Sequence, residues 1–158
     1  MNMVATSRLR HAKEAATANR PYAQKVSEVV HAVAKNAGMD FSHPLLEKHE
    51  DGKKLVFLIT SDKGLAGAYS SNACKAAEAL IEKANDTDFV IVGRKGVGHF
   101  KSRGHNVIKE FIGISEHPSS EDARNIALEL IRFYKTGEYR EIVMVYTKFV
   151  SAITCEPK

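Results

Sequence analysis

Cysteine is scarce in this chain: Cys74 and Cys155 stand eighty-one positions apart. Two thiols so spaced read as packed or free side chains, not as a disulfide framework or a metal pair, and a reducing, cytosol-facing compartment fits them. No run of about eighteen apolar residues occurs, so no membrane-spanning helix is read. The amino terminus has no apolar block before a cleavage site, so no secretory signal is expected there. Histidine occurs at 11, 31, 43, 49, 99, 105 and 117 but never as H-E-x-x-H or H-x-H, so no metal site is expected. G-x-S-x-G is also missing, and Ser61 has no evident base, so no catalytic set is expected. Internal repeats and low-complexity segments are absent. What remains is a soluble composition, 44% hydrophobic and 27% charged over 158 residues, enough for one α/β domain with a complete core.

Charge is unevenly placed. Residues 1–35 hold Arg8, Arg10, Lys13, Arg20, Lys25 and Lys35 against Glu14 and Glu28, an excess of four that equals the +4 of the whole chain. The basic surplus thus belongs to one segment. That segment contains no glycine, is rich in alanine and reads as helix to about residue 37, where Gly38 supplies the stop. Pro21 predicts a kink or short break near 19–21. After it, Tyr22, Val26, Val29, Val30, Val33 and Ala37 form an apolar stripe at helical spacing. Such a helix is roughly 55 Å long, more than a small domain's diameter, so part of it is expected to project. Its cations are too dilute for a nucleic-acid helix, and Tyr22 is its one aromatic. A solvated face and a helix docking on a carboxylate-rich protein surface both stay open. No second long helix follows in the chain to cover the stripe, which favours a partner or a further part of the same protein.

Residues 38–52 form a polar linker with Pro44 and Gly52, and residues 53–158 then alternate. Strands are predicted at 54–60, 89–92 and 106–110, with a last one at 141–148 continuing through a bend into 149–155. Helices are predicted at 71–84, with Ala76, Ala77, Leu80 and Ile81 inward, and near 96–102. The clearest helix has Ser119 as cap, Asp122 three residues later, Ile126, Leu130, Ile131 and Tyr134 on one face, and Gly137 as its stop. Strand–helix alternation of this kind gives an α/β fold: a mostly parallel sheet with helices on both faces.

The stretch "LITSDKGLAGAYSSN" poses the functional question. Gly64 and Gly67 follow a strand and precede a helix, and Lys63 adds a positive charge, so a small nucleotide- or phosphate-binding domain using residues 60–72 is one reading. The stretch lacks the Lys-Ser/Thr of a P-loop and the third glycine of the dinucleotide fingerprint, and Asp62 would repel phosphate. A glycine-bearing turn is the better account. "VGRKGVGHF" has its glycines at 93, 96 and 98, again off the fingerprint, and Arg94 and Lys95 read as part of a solvated turn.

Taken in order, "MNMVATSRLRHAKEA", "RPYAQKVSEVV", "LITSDKGLAGAYSSN", "IVGRKG" and "FVSAITCEP" resemble the gamma subunit of the rotary F-type ATP synthase from one end of the chain to the other. The S-D-[RK]-G-L-x-G stretch and the M-V-x-x-S-[KR] helix opening are its most specific parts. The resemblance implies a Rossmann-like central domain and a projecting N-terminal helix that is half of an antiparallel coiled coil. It also implies a non-catalytic central-stalk rotor subunit with no cofactor of its own, which carries torque between the membrane c-ring and catalytic sites on the beta subunits. Partners implied are the alpha and beta subunits, the epsilon subunit and the c-ring, with no nucleic acid and with membrane contact only through the complex. Bacterial-type residues Ala66 and Tyr69 imply the cytoplasmic face of a bacterial membrane.

The resemblance further implies which residues meet the acidic lever loops of the beta subunits: Met1, Arg8, Arg10, Lys13 and Lys63. Lys63 stands where arginine is usual, which replaces a rigid fork by a mobile point charge. The family also has helix before the position of Met1 and a long helix after the last strand. Both are lacking here, so the chain is expected to be a fragment or trimmed form of a rotor subunit, with the stripe on its first helix left uncovered.

Overall fold

The computed structural model describes residues 2–38, 41–149 and 155–158. The chain forms two compact units, Met1–Leu46 and Glu47–Lys158.

The first unit is dominated by α1, Asn2–Asn36, a single helix with Pro21 inside it. The predicted break at 19–21 does not occur. Proline lacks an N–H, which deprives the Thr17 carbonyl of its usual donor, and its ring crowds that carbonyl, yet helix continues on both sides of it. Thr17 in turn uses its hydroxyl to donate to the Lys13 carbonyl at 2.8 Å. The apolar side chains Tyr22, Val26, Val29, Val30 and Val33 are all exposed.

The second unit runs β1 (Lys53–Ile59), α2 (Tyr69–Glu78), β2 (Thr87–Val92), α3 (Arg94–Ser102), β3 (Asn106–Phe111), α4 (Ser120–Lys135) and β4 (Tyr139–Val145), then β5 (Thr147–Phe149) and β6 (Cys155–Pro157). The first four strands make one sheet in the order β3-β2-β1-β4, parallel throughout. Alternating residues of β1 and β2 send side chains to opposite faces. Val56, Leu58, Phe89 and Ile91 pack with Ala73, Cys74 and Ala77 of α2 and Val97 and Phe100 of α3. Leu55, Phe57, Val90 and Val92 face Ile126, Leu130 and Phe133 of α4. Helices therefore cover both faces, as a parallel sheet requires.

Local chemistry explains the boundaries. Ser119 caps α4 by accepting the Asp122 amide hydrogen, and Asp122 returns the bond to the Ser119 amide. Phe133, absent from the predicted face of α4, packs inward, while Tyr134 turns to stack on His49 and donates to the Glu47 carbonyl. Helix α2 ends at Glu78, short of the predicted 84, and Lys54 reaches into the turn that follows it. The buried Lys54 donates from its ammonium to the Leu80 carbonyl at 3.2 Å and to the Glu82 carboxylate at 2.6 Å. The last strand stops at Val145, and its predicted continuation is a separate antiparallel pair, β5 with β6. Residues 150–154 of that predicted stretch, and the Cys155 side chain, lie outside the described residues.

Candidate functional site

Strand order reverses beside β1, with β2 on one side and β4 on the other, and the loop after β1 leaves the sheet at its carboxyl edge. In doubly wound sheets that edge is where ligands settle. Here the chain has filled it. Thr60, fully buried, donates its hydroxyl to the Val92 carbonyl at 2.8 Å and accepts the Gly96 amide hydrogen at 2.9 Å. The Ser61 carbonyl accepts from the Lys95 amide at 3.1 Å. The Asp62 carboxylate accepts from the Arg94 amide at 3.1 Å. The first three amides of α3, which an intrahelical bond cannot satisfy, are thus all taken by three consecutive residues that follow β1.

The glycines of "VGRKGVG" serve this approach. Gly93 has φ +95°, and a Cβ there would lie 2.3 Å from the Thr60 carbonyl oxygen. A Cβ on Gly96 would meet the Thr60 hydroxyl at 2.8 Å. Arg94 and Lys95 are accordingly not in an open turn, as the sequence suggested, but in the first turn of a helix whose start is pressed against Thr60–Asp62.

Asp62 does more than cap α3. Its second oxygen accepts from the Gly113 amide at 3.0 Å, the Ser115 amide at 3.2 Å and the Ser115 hydroxyl, while its own amide donates to the Ser115 oxygen at 3.0 Å. Burial alone would push this carboxyl up, but the donors from Ser115, Gly113 and Arg94 outweigh it and hold Asp62 below the usual carboxylate range. One ionised side chain thereby joins the loops after β1, β2 and β3. Its negative charge stands at the helix end where a phosphate would have to sit.

Beyond Asp62 the loop turns outward. Lys63 Nζ meets Glu116 at 2.7 Å, an exposed pair. Leu65 has φ +60° and is fully exposed. A shallow cavity of about 360 Å³ beside the loop includes Gly64, Ser70, Cys74, Lys95 and His99 in its lining. Its buried thiol, Cys74, is pushed up to about 11 by burial and the nearby Glu78, and so stays protonated and unreactive at neutral pH. Both ring nitrogens of His99 are engaged, Nε2 with Glu78 at 2.8 Å and Nδ1 with Arg103 at 3.2 Å, leaving no free base. Among the described residues no cluster could hold a metal ion.

Of the residues singled out from sequence, Met1 lies outside the described residues, and Arg8, Arg10 and Lys13 are exposed on α1. At about 100° per residue, Arg10 and Lys13 are neighbours one turn apart while Arg8 points away from Arg10. Lys63 belongs to the second unit and holds a carboxylate of its own chain. Ser115 and Glu116, which complete the site, carried no sequence signal, since they lie in an aperiodic loop more than fifty positions from Asp62 and Lys63.

Fold and site together define a doubly wound parallel α/β domain whose phosphate station is occupied from within. The chain belongs to the ATP synthase family, whose profile matches residues 1–158. It is 41% identical to the ATP synthase gamma chain of Frankia casuarinae and 39% identical to that of Desulfitobacterium hafniense, matching over 99% of its own length in each case. It covers 55% and 56% of those two proteins, so it spans about half their length. Among solved structures it resembles the central stalk and c-ring structure of Tetrahymena thermophila mitochondrial ATP synthase, with TM-score 0.75 and 23% identity over 99% of this chain and 67% of that one. A Euglena gracilis mitochondrial ATP synthase rotor gives TM-score 0.56 and 14% identity, covering 94% of this chain and 60% of that one. Both likenesses are of fold. Among the described residues no helix is long and apolar enough to cross a membrane.

Proposed function

We propose that this chain is the amino-terminal and central part of a rotor subunit, the gamma subunit of a rotary F-type ATP synthase, which transmits torque and performs no bond chemistry. It is held peripherally at the cytoplasmic face of a bacterial membrane through the complex. Its partners are the alpha and beta subunits of the catalytic ring, the epsilon subunit and the c-ring. The observation that carries the reading is Asp62, whose carboxylate fills the amino end of α3 and turns the most phosphate-like loop of the chain into an internal joint. Identity near 40% to gamma chains along the chain's length supports it.

In this reading Arg8, Arg10, Lys13 and Lys63, with Met1, meet acidic lever loops of the beta subunits. Exposed ion pairs of that kind contribute about 0.2–1 kcal/mol each, which suits a shaft that must leave one loop for the next. The stripe of Val26, Val29, Val30 and Val33 is one side of an antiparallel coiled coil, covered by a further helix of the full-length protein. Covering each valine recovers up to about 1.5–3 kcal/mol.

Two measurements test this. Full-length protein expressed with alpha, beta and epsilon subunits is expected to co-purify with them. Isolated chain titrated with ATP is expected to show no saturable micromolar binding. Saturable binding that disappears in Lys63→Ala would replace the rotor reading with a nucleotide-binding domain.

A further inference from the structure

The residues that lead into β1 are held in an unusual way. Residues 47–52 have no regular secondary structure, and of 47–53 only His49 is even half-buried. Apolar burial therefore does little to keep this stretch in place. Directional contacts do, and they converge on one corner, the end of α4 and the start of β4. Tyr134 donates its hydroxyl to the Glu47 carbonyl and stacks its ring on His49, with centroids 4.7 Å apart. His49 Nδ1 donates to the Tyr139 carbonyl at 2.8 Å. Arg140 donates to the Gly52 carbonyl at 2.8 Å, while Asp86 at 3.0 Å holds its guanidinium. The Lys53 amide donates to the Glu138 carbonyl at 2.9 Å. Gly52 has φ +122°, and a Cβ there would stand 2.5 Å from the same Glu138 oxygen, so the two backbones touch.

Position gives these bonds a meaning beyond stability. The second compact unit begins at Glu47, so residues 47–53 are the stretch through which α1 and its linker join the sheet. A linker that only spans a gap needs no such fastening, since loosening or lengthening a surface loop costs little. Free of the corner, a pull or twist arriving along the chain would reach β1 alone, through a swivel of single bonds. Fastened to it, the same load is shared among β1, α4 and β4, the strand that pairs with β1 along its length. The fixed points lie at both ends of the stretch, at Glu47 and His49 and again at Gly52 and Lys53, which prevents it from turning about its own axis.

We propose that residues 47–53 are a strap that fixes the incoming chain to the α4–β4 corner and passes torque from the first helix into the sheet, with His49 and Tyr134 as its positioning residues. This rests on the rotor reading and adds to it the route by which load enters the domain.

Hydrogen exchange on this chain reads the fastening without any partner. In His49→Ala with Tyr134→Phe, which removes two hydrogen bonds and a ring contact, the Lys53 amide is expected to exchange at least about tenfold faster than in wild type, while amides of β2 keep their protection. Should β2 lose protection as well, Tyr134→Phe alone carries the comparison, with an expected acceleration of about two- to tenfold. Unchanged exchange at Lys53 overturns the strap. The torque role is read on the full-length chain in the assembled complex, with the catalytic ring immobilised and a bead fixed to the central domain. The bead's angular spread reports torsional stiffness, because a softer joint in series widens thermal fluctuation. The double variant should widen the spread, and His49→Phe, which keeps the ring contact, should widen it less. A spread equal to that of wild type, with Lys53 exchange accelerated, overturns the torque role and leaves the rotor reading standing. Failure of the wild-type chain to enter the complex at all overturns the rotor reading itself.

Discussion

Asp62 Oδ1 accepts the amide hydrogen of Arg94 at 3.1 Å, although the two residues are 32 positions apart and belong to different strand–helix connections. That bond, with those from Gly113 and Ser115, makes a carboxylate the common anchor of three loops at the carboxyl edge of the sheet. The Ser61-Asp62 pair thereby acquires a structural reason within the chain itself.

Replacing Asp62 by asparagine removes the charge and at least one acceptor while keeping the shape. Hydrogen bonds to charged groups are worth about 1.5–3 kcal/mol, and Asp62→Asn is expected to lower unfolding stability by about that much. Urea titration followed by circular dichroism checks it. A loss under about 0.5 kcal/mol would show that the loops are held by other contacts.

The same anchor predicts a pH dependence. Because the folded Asp62 carboxyl is held below its ordinary value of 3.8, its contribution is fully present above that value and fades as pH falls through the lower, folded one. The stability gap between wild type and Asp62→Asn should therefore be constant at neutral pH and close below about pH 4. A gap that persists unchanged in strong acid would contradict the assignment.

Gly93, which precedes α3, and Gly98 within it should respond in opposite senses to alanine. At Gly93 the backbone is left-handed and a Cβ would collide with the Thr60 carbonyl, whereas at Gly98 nothing lies within 4 Å. Gly93→Ala is expected to destabilise by about 3 kcal/mol or more through strain and overpacking. Gly98→Ala should stabilise by about 0.5–1 kcal/mol through helix propensity. Thermal melts of the two variants decide the matter, and equal effects would refute the close approach.

At the amino ends of the strands a buried carboxylate, Asp88, is served by three neighbours. Asp88, 4% exposed, accepts from the Tyr139 hydroxyl at 2.9 Å and Asn106 Nδ2 at 2.9 Å, with Lys53 at 3.4 Å. Burial and this bond push the Tyr139 hydroxyl well above its ordinary value, so it stays a donor. Tyr139→Phe leaves a buried charge short of one donor and is expected to cost about 1–3 kcal/mol. Equilibrium unfolding showing no loss would mean the other two partners suffice.

The valine stripe of α1 offers a comparison between chain lengths. Val29→Ala with Val33→Ala should alter the stability of this chain by less than about 0.5 kcal/mol, since both positions are exposed. In the full-length protein the same pair should cost about 2 kcal/mol or more, if a helix covers it. Identical small effects in both would remove the coiled-coil seam from the proposal.

Much of the fold was legible because it is written locally. Alternation of apolar strands with amphipathic helices sets a parallel sheet covered on both faces, and Ser119 with Asp122 marks the start of α4 three residues apart. Local rules misjudged what distant groups control. Pro21 suggested an interruption, yet helix runs through it, and the end of α2 could not be read without Lys54, whose ammonium arrives from a strand 26 positions earlier to bind the Leu80 carbonyl.

By itself the sequence determined the element order, the basic first helix and the lack of a complete phosphate motif, because each depends on residue types a few positions apart. Only the tertiary structure decided that Asp62 is bound by the loops after β2 and β3 and that Lys63 is held by Glu116. Which loops meet at a sheet edge follows from strand order and crossover. No local pattern of side chains encodes a bond between residues more than fifty positions apart.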